Sequence, residues 1–238
     1  MYSPAEVAQN YIAIGKGKVA LSPGKQLLLG ILAGAFIALA GMACTFGNVY
    51  ANKAVGAALF PAGLAMVLVA GSELFTGNCL LIIPLLQKEI SLAAMLRNWL
   101  MVYLGNLIGA VFIACLCRFG GLLNVVGEAA AATAMAKAAM PFGAALCRGI
   151  GCTILVCIAV WMSFAARDVA GKVLAVFFPV TAFVICGFDH SVANMFYLPF
   201  GGAPLLGCIH NLVPVTLGNV IGGCAVGAAY WAAYLRNK

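Results

Sequence analysis

The sequence predicts an all-α membrane protein of six transmembrane helices, built as two inverted three-helix repeats whose second and fifth helices are broken. Composition carries the first part: 65% of the residues are hydrophobic and 8% are charged, with a mean hydropathy of +1.09. A repeat carries the second. Asn98-x-x-x-Val102-x-Leu104-Gly105-Asn106-x-Ile108-Gly109 returns 113 residues later as Asn211-x-x-x-Val215-x-Leu217-Gly218-Asn219-x-Ile221-Gly222, identical at seven of twelve positions. Upstream, Gly71-x-Glu73-x-x-x-x-Asn78 is echoed by Gly187-x-Asp189-x-x-x-x-Asn194, and each echo interrupts an apolar run. Polar interruptions at matching places in two halves point to a transport site.

Residues 1–26 contain Glu6, Lys16, Lys18 and Lys25 without a continuous apolar core, unlike a cleavable signal peptide. The first span is expected to act as its own signal. Ser3-Pro4-Ala5-Glu6 has capping-box spacing with proline at the first helical position. Val7, Ala8, Tyr11, Ile12 and Ile14 follow, so a short amphipathic helix is expected at the cytoplasmic mouth, as a membrane-surface anchor or as a gate. A span needs about 20 apolar residues. Residues 27–236 supply such runs at 27–49, 55–72 (continued at 80–87), 97–119, 143–166, 173–188 (continued at 192–200) and 211–235. Repeat 1 is then about 27–119 and repeat 2 about 143–235, joined by an alanine-rich segment, 125–139, read as a long loop. Backbone groups in lipid must be satisfied internally, and the alternation of a membrane barrel is absent, which leaves helices.

Lys16, Lys18, Lys25, Lys88, Arg97, Arg167, Lys172, Arg236 and Lys238 fall on one side of this arrangement, and Lys53, Arg118, Lys137 and Arg148 on the other. The positive-inside rule then places both termini in the cytoplasm of a multi-pass protein of the cell's inner membrane, and three spans per repeat invert one half against the other. The net charge of +7 reports this topology. No basic patch with interleaved aromatics suggests nucleic acid. The ten cysteines form no C-x-x-C pair and are expected as free, buried, small apolar residues without a disulfide framework. Neither a metal nor a cofactor is expected. H-E-x-x-H, G-x-S-x-G and carboxylate clusters are missing, so no enzyme is predicted.

Of six acids, only Glu73 and Asp189 lie inside apolar runs. Ionisable groups at that depth cost about 2.5–3.5 kcal/mol on insertion scales, so they face a cavity or a partner. Each precedes a helix break, where a carboxylate could accept from unpaired N–H groups at a helix start, or could touch a permeant. Asn194 closes the second interruption and is expected, with His190, to face the pore. His190 follows Asp189 and is the only histidine well inside a span, the other, His210, standing at the edge of the last helix. It reads as a satisfied structural histidine or as a pore residue whose charge changes near neutral pH.

Gly187-Phe188-Asp189-His190-Ser191-Val192-Ala193-Asn194-Met195-Phe196, with Glu73-Leu74-Phe75-Thr76-Gly77, Ala159-Val160-Trp161-Met162-Ser163 and Pro214-Val215-x-Leu217-Gly218-Asn219-x-Ile221-Gly222-Gly223, resembles the formate/nitrite transporter family over nearly the whole chain. The resemblance implies an aquaporin-like protomer in a homopentamer, each subunit with its own pore for small monovalent anions such as formate, nitrite, acetate, lactate or hydrosulfide. Carried over by position, His190 becomes the central pore histidine and Thr76 its partner. Phe60 and Phe183 become one constriction, and Leu64, Phe75 and Val156 the other. Lys137 becomes the lysine that raises positive potential near the pore. Spacing alone reads the apolar members as ordinary core. Thr153 departs from the pattern, because formate channels tend to carry Cys-Asn where this chain has Cys152-Thr153; it looks closer to the hydrosulfide branch. The expectation is a pore passing hydrosulfide, formate or nitrite with protonation by the central histidine. The alternative is a neutral-solute pore of aquaporin or ammonium-channel type, against which the paired Asn-Pro-Ala signature is missing.

Overall fold

The computed structural model describes residues 1–236, and Lys238 of the charge comparison lies outside the described residues. Among them there are helices and no strands. Helix α1 (Pro4–Ala20) begins at the expected capping box: the Ser3 hydroxyl accepts the Glu6 N–H, and the Glu6 carboxylate accepts the Ser3 N–H at 2.7 Å. These bonds to Ser3 hold the Glu6 carboxyl below its ordinary range. Their support for the cap is therefore complete above that range and is lost as pH falls through the depressed value. Val7, Ala8, Tyr11, Ile12 and Val19 are buried. That face packs on α6 (Ile82–Leu86), α7 (Leu92–Phe119), α9 (Phe142–Ala165) and α12 (Leu205–Tyr234), so α1 rests on protein and not on lipid alone.

Proline and glycine punctuate the rest. Helix α2 (Pro23–Tyr50) runs to a turn, and Asn52 then caps α3 (Lys53–Leu59) through its side chain. Pro61 opens α4 (Pro61–Ala70) at a junction with α3, since a ring nitrogen offers no hydrogen for the i−4 carbonyl. Gly71 (φ 79°) ends α4, and its repeat partner Gly187 (φ 72°) ends α10 (Val169–Ile185). Both stand in the left-handed region, where glycine has no steric penalty, which explains why each copy of the upstream echo starts with glycine. Short helices follow each stop. They are α5 (Phe75–Asn78), continued by a 3₁₀ turn (Cys79–Leu81) into α6, and α11 (Ser191–Phe200).

Helices α2, α7, α9 and α12 and the run Lys53–Ala70 are long and apolar enough to cross a membrane, while α10 has 17 residues. Three sequence expectations are corrected. The segment read as a loop at 125–139 is helix α8 (Leu123–Ala138): alanine is the strongest helix former, and a scarcity of polar residues is not a scarcity of order. The last helix starts at Leu205, which puts exposed His210 within it, with Nδ1 3.2 Å from the Ala138 carbonyl. Cys115, Cys147 and Cys186 lie on the outer surface of the chain; all ten thiols are free.

Helix α2 packs along α7, and α9 along α12, as the matched long pairs of the two repeats. Small residues let these backbones touch. A Cβ added at Gly109 would collide with the Ile31 carbonyl, and one at Gly222 with the Ile150 carbonyl. Gly109→Ala is therefore expected to lower stability by about 1–3 kcal/mol through overpacking, read as a lower midpoint of thermal unfolding in detergent. Gly17→Ala, with nothing within 4 Å of the added carbon, should leave the midpoint unchanged or raise it.

Candidate functional site

Each helix break is held by the same set of side chains. In repeat 1, Glu73 accepts from Lys18 Nζ on Oε1 at 2.7 Å and from Asn78 Nδ2 on Oε2 at 2.7 Å. Asn78 also donates to Asn98 Oδ1 at 2.9 Å, and Asn98 donates to the Lys18 carbonyl at 3.5 Å. Asn106 accepts the Phe75 N–H at 2.9 Å and donates to the carbonyls of Gly30 and Glu73 at 2.8 and 2.9 Å. Repeat 2 has a mate for each bond. Lys137 is ion-paired with Asp189, and Asn194 donates to Asp189 Oδ1 at 3.1 Å and to Asn211 Oδ1 at 2.8 Å. Asn211 donates to the Lys137 carbonyl at 2.9 Å. Asn219 accepts the Ser191 N–H at 2.9 Å and donates to the carbonyls of Gly149 and Asp189 at 2.8 and 3.0 Å.

The carboxylates therefore do not accept the free N–H groups at the helix starts, the first of the two roles their sequence position allows. Asn106 and Asn219 each satisfy the first of those donors, the Phe75 and Ser191 N–H groups, and the carboxylates instead gather a lysine and an asparagine. Sequence reasoning misses Lys18, which it counts only as a loop charge. A faint signal is present: Lys18-Val19-Ala20-Leu21 parallels Lys137-Ala138-Ala139-Met140, and each runs into a proline, Pro23 or Pro141, that opens the next helix. The asparagines are visible as the repeat itself, without a role.

The two carboxylates differ by one methylene. Glu73 spreads its two donors over both oxygens, whereas the shorter Asp189 takes both on Oδ1 and leaves Oδ2 without a hydrogen bond. Asn194 Oδ1 and Ser191 Oγ are also buried and unpartnered.

His190 is the N-cap of α11. Its Nδ1 accepts the Ala193 N–H at 3.1 Å, and its Nε2 lies 2.8 Å from Thr76 Oγ1. An acceptor Nδ1 carries no proton, so the neutral ring has its hydrogen on Nε2 and donates it to Thr76, a tautomer assigned from the hydrogen-bond pattern. Thr76 belongs to α5, so the starts of the two short helices meet at this bond.

Phe60 and Phe183 stand edge to face at 5.6 Å between centroids, and the Phe183 ring is 6.1 Å from that of His190. A cavity of about 730 Å³ reaches this group and is lined by Lys137, Asp189, Asn194 and Tyr197 among others. Lys137 Nζ lies 5.7 Å from the centre of the Tyr197 ring. On the Lys18 side the matching space is about 20 Å³, lined by Tyr11, Leu64 and Phe164 among others. Tyr11 lies edge-on to Phe164 at 5.6 Å, with its hydroxyl 3.5 Å from the Gly77 carbonyl. Of the other expected constriction residues, Leu64 faces this closed space. Phe75 is buried against Tyr103 and Trp99, at 4.9 and 6.1 Å between ring centroids, and Val156 is buried in α9. Thr153 is fully buried in α9 with its methyl against Gly223 and its hydroxyl unpartnered, so it makes no hydrogen bond to His190.

A family model described as formate/nitrite transporter matches residues 5–232. The chain belongs to the formate/nitrite transporter family. A "Probable formate transporter" of Methanothermobacter thermautotrophicus is 39% identical over 99% of this chain and 98% of its own length. Among solved structures, an "FNT family ion channel" superimposes with a TM-score of 0.89 at 32% identity, covering 96% of this chain and 98% of that one. A "Pentameric formate channel with formate bound" gives 0.79 at 33% identity, covering 90% and 98%. This formate/nitrite transporter homologue is thus a multi-pass membrane protein of a channel and transporter family, not an enzyme.

In this family member the Lys137–Asp189 pair is inside the protein, with side-chain exposures of 18% and 1%. Removing one partner strands a charge, which costs about 3–5 kcal/mol, whereas removing both costs less. Lys137→Met and Asp189→Asn are each expected to lower the thermal midpoint in detergent sharply, and the double variant to recover part of the loss. Additive losses in that cycle would show the pair to be uncoupled.

Proposed function

We propose that this chain is a channel for small monovalent anions of weak acids, namely hydrosulfide, formate or nitrite, in which His190 exchanges a proton with the permeant. Residues 27–236 form the channel domain: six spans in two inverted repeats, about 27–119 and 143–235, with broken second and fifth helices. Residues 1–26 lie at its cytoplasmic mouth. Both termini are inside the cell, the protein is in the inner membrane, and five copies assemble, each with its own pore. The likeness to a pentameric channel with formate bound supports the oligomer and the anion class. The matched hydrogen bonds of the two breaks support the inverted repeat.

The observation that carries this reading is the Thr76–His190 bond, which lies where two interrupted helices meet and beside the floor of a cavity holding Lys137 and Asp189. Backbone breaks in a membrane are tolerated where they line a water-filled path, and a titratable side chain at that depth is a functional feature by default. Phe60 and Phe183 line the same cavity beside His190 and narrow it to an apolar neck. A charged ion loses water there at a cost of several kcal/mol or more, while a neutral acid does not. The resting ring is the neutral Nε2–H tautomer. Taking a second proton on Nδ1, from solvent at the open cavity, means giving up the Ala193 cap, which costs about 0.5–2 kcal/mol. An anion in the cavity offsets that cost by pairing with the imidazolium. The proton then leaves with the anion, the ring returns to its cap, and the uncharged acid passes the phenylalanines. Thr76 aims Nε2, while Asn194, Glu73 and Asp189 hold the breaks open. Leu64, Phe75 and Val156 form the second apolar barrier, and Thr153, at the position where formate channels tend to carry asparagine, bears on selectivity among permeants.

The experiment is stopped-flow flux in proteoliposomes for hydrosulfide, formate, nitrite and chloride over roughly pH 5.5 to 8. His190→Phe, which removes both cap and proton, should lower weak-acid flux by at least about a hundredfold, the lower end of general acid–base contributions, with the oligomer intact on size exclusion. His190→Asn keeps a capping acceptor without a titratable proton. A native rate and pH profile in that variant would overturn proton exchange at the ring and leave His190 with the cap alone.

A further inference from the structure

Of the four cations that the proposed topology puts on the outer side, two are committed. Lys137 is paired with Asp189, and Arg118 donates to the carbonyls of Pro199 and Phe200 at the end of α11. The other two, Lys53 and Arg148, are exposed, have no carboxylate partner among the described residues, and both line the 730 Å³ cavity.

This arrangement changes where the cavity's field originates. A lysine in contact with a carboxylate is a dipole whose potential dies quickly with distance, while an unpaired cation acts over about 10 Å at 0.1 M salt. The Lys137–Asp189 pair contributes no net charge. With a neutral His190, the unpaired charges among the described residues that line the cavity are those of Lys53 and Arg148, while Arg118, whose carbonyl partners leave its charge intact, and exposed Glu128 of α8 stand outside that lining.

Neither cation is required by the fold. The Arg148 carbonyl accepts the Asp189 N–H, as the Leu29 carbonyl accepts the Glu73 N–H, so Arg148 occupies the position of Leu29 in the other repeat. Lys53 follows the cap Asn52, as Val169 follows the cap Asp168. The same local structure thus forms with leucine and valine. Lys53 also occupies the first residue of a helix, where the macrodipole disfavours a cation. A residue that opposes its helix at the rim of a cavity is consistent with a role toward an anion.

We infer that Lys53 and Arg148 are an anion collector at the open mouth, which draws permeant anions into the cavity and sets their capture rate, whereas the buried lysine acts only at contact range. This rests on the anion-channel reading above. Clefts lined by one sign of charge raise association rates by about 10- to 1000-fold at low ionic strength, and salt erases the gain. Two cations at a rim belong at the lower end of that range.

The test measures formate and hydrosulfide flux well below saturation in proteoliposomes, with the same salt on both sides, from roughly 20 to 300 mM. Native flux should fall several-fold across that range. Lys53→Gln combined with Arg148→Gln should bring low-salt flux down to the native high-salt value and flatten the dependence on salt. Lys53→Glu combined with Arg148→Glu should lower it further and reverse the slope, so that salt now helps. Lys53→Arg should match the native chain, as should Lys172→Gln at the opposite end. A double glutamine variant that keeps both native rate and native slope overturns the collector and leaves the channel reading standing. A native chain that passes neither anion at any salt sinks both.

Discussion

A helix that stops inside a membrane leaves donors and acceptors that no water can reach, and most of what is polar in this chain answers that constraint. Asn106 and Asn219 each close three backbone groups at once, joining a short helix start to the carbonyl before it and to a long neighbouring helix. A buried amide that lost those partners would strand several groups, each at about 1–3 kcal/mol. The lysine–carboxylate–asparagine chains sit one step further out and tie the same breaks to α1 and α8. The two interruptions are held by hydrogen bonds from within the protein, although the second leaves Asp189 Oδ2, Asn194 Oδ1 and Ser191 Oγ unpartnered.

The symmetry of that solution makes the departures from it informative. One half closes its approach with Tyr11 of α1 and Phe164, leaving about 20 Å³, while the other keeps about 730 Å³ open beside His190. One half saturates Glu73, while the other leaves an oxygen of Asp189 unbonded. The histidine has no counterpart, since the position after Glu73 is Leu74. Packing requirements are shared by the repeats and cannot explain features present in only one of them.

The parts legible in the sequence are those in which chemistry permits little substitution. An amide can accept an N–H and donate to two carbonyls from one side chain, as Asn106 and Asn219 do, while Asn98 and Asn211 each accept from an asparagine and donate to one carbonyl; all four repeat, and the two halves can be read directly. Gly71 and Gly187 are fixed by backbone conformation in the same way. Lys18 is hidden because a lysine in an amphipathic helix looks like solvated charge until its carboxylate is found 55 residues away. Helix α8 is hidden because an alanine-rich stretch carries little periodicity, although its lysine and following proline copy those of α1 and α2. The Phe60–Phe183 pair is legible only through family resemblance; two phenylalanines in apolar helices otherwise read as core.

Electrostatics inside such a pore depends less on how many charges are present than on which are already answered. Lys137 and Asp189 cancel at a distance, so their influence is confined to a permeant that has reached them and can insert into their geometry. His190 is spent as a cap acceptor on one nitrogen and a donor on the other, and in the proposed function it is uncharged until an anion makes the loss of the cap worthwhile. On this reading the inner site is silent toward bulk solution and responsive only at contact. A pore organised so needs another source of attraction at its opening, and unpaired cations are the groups that supply one across several ångströms of water. The interior can then remain apolar enough to refuse a hydrated ion while the mouth still gathers anions, two demands that a single buried charge could not meet together.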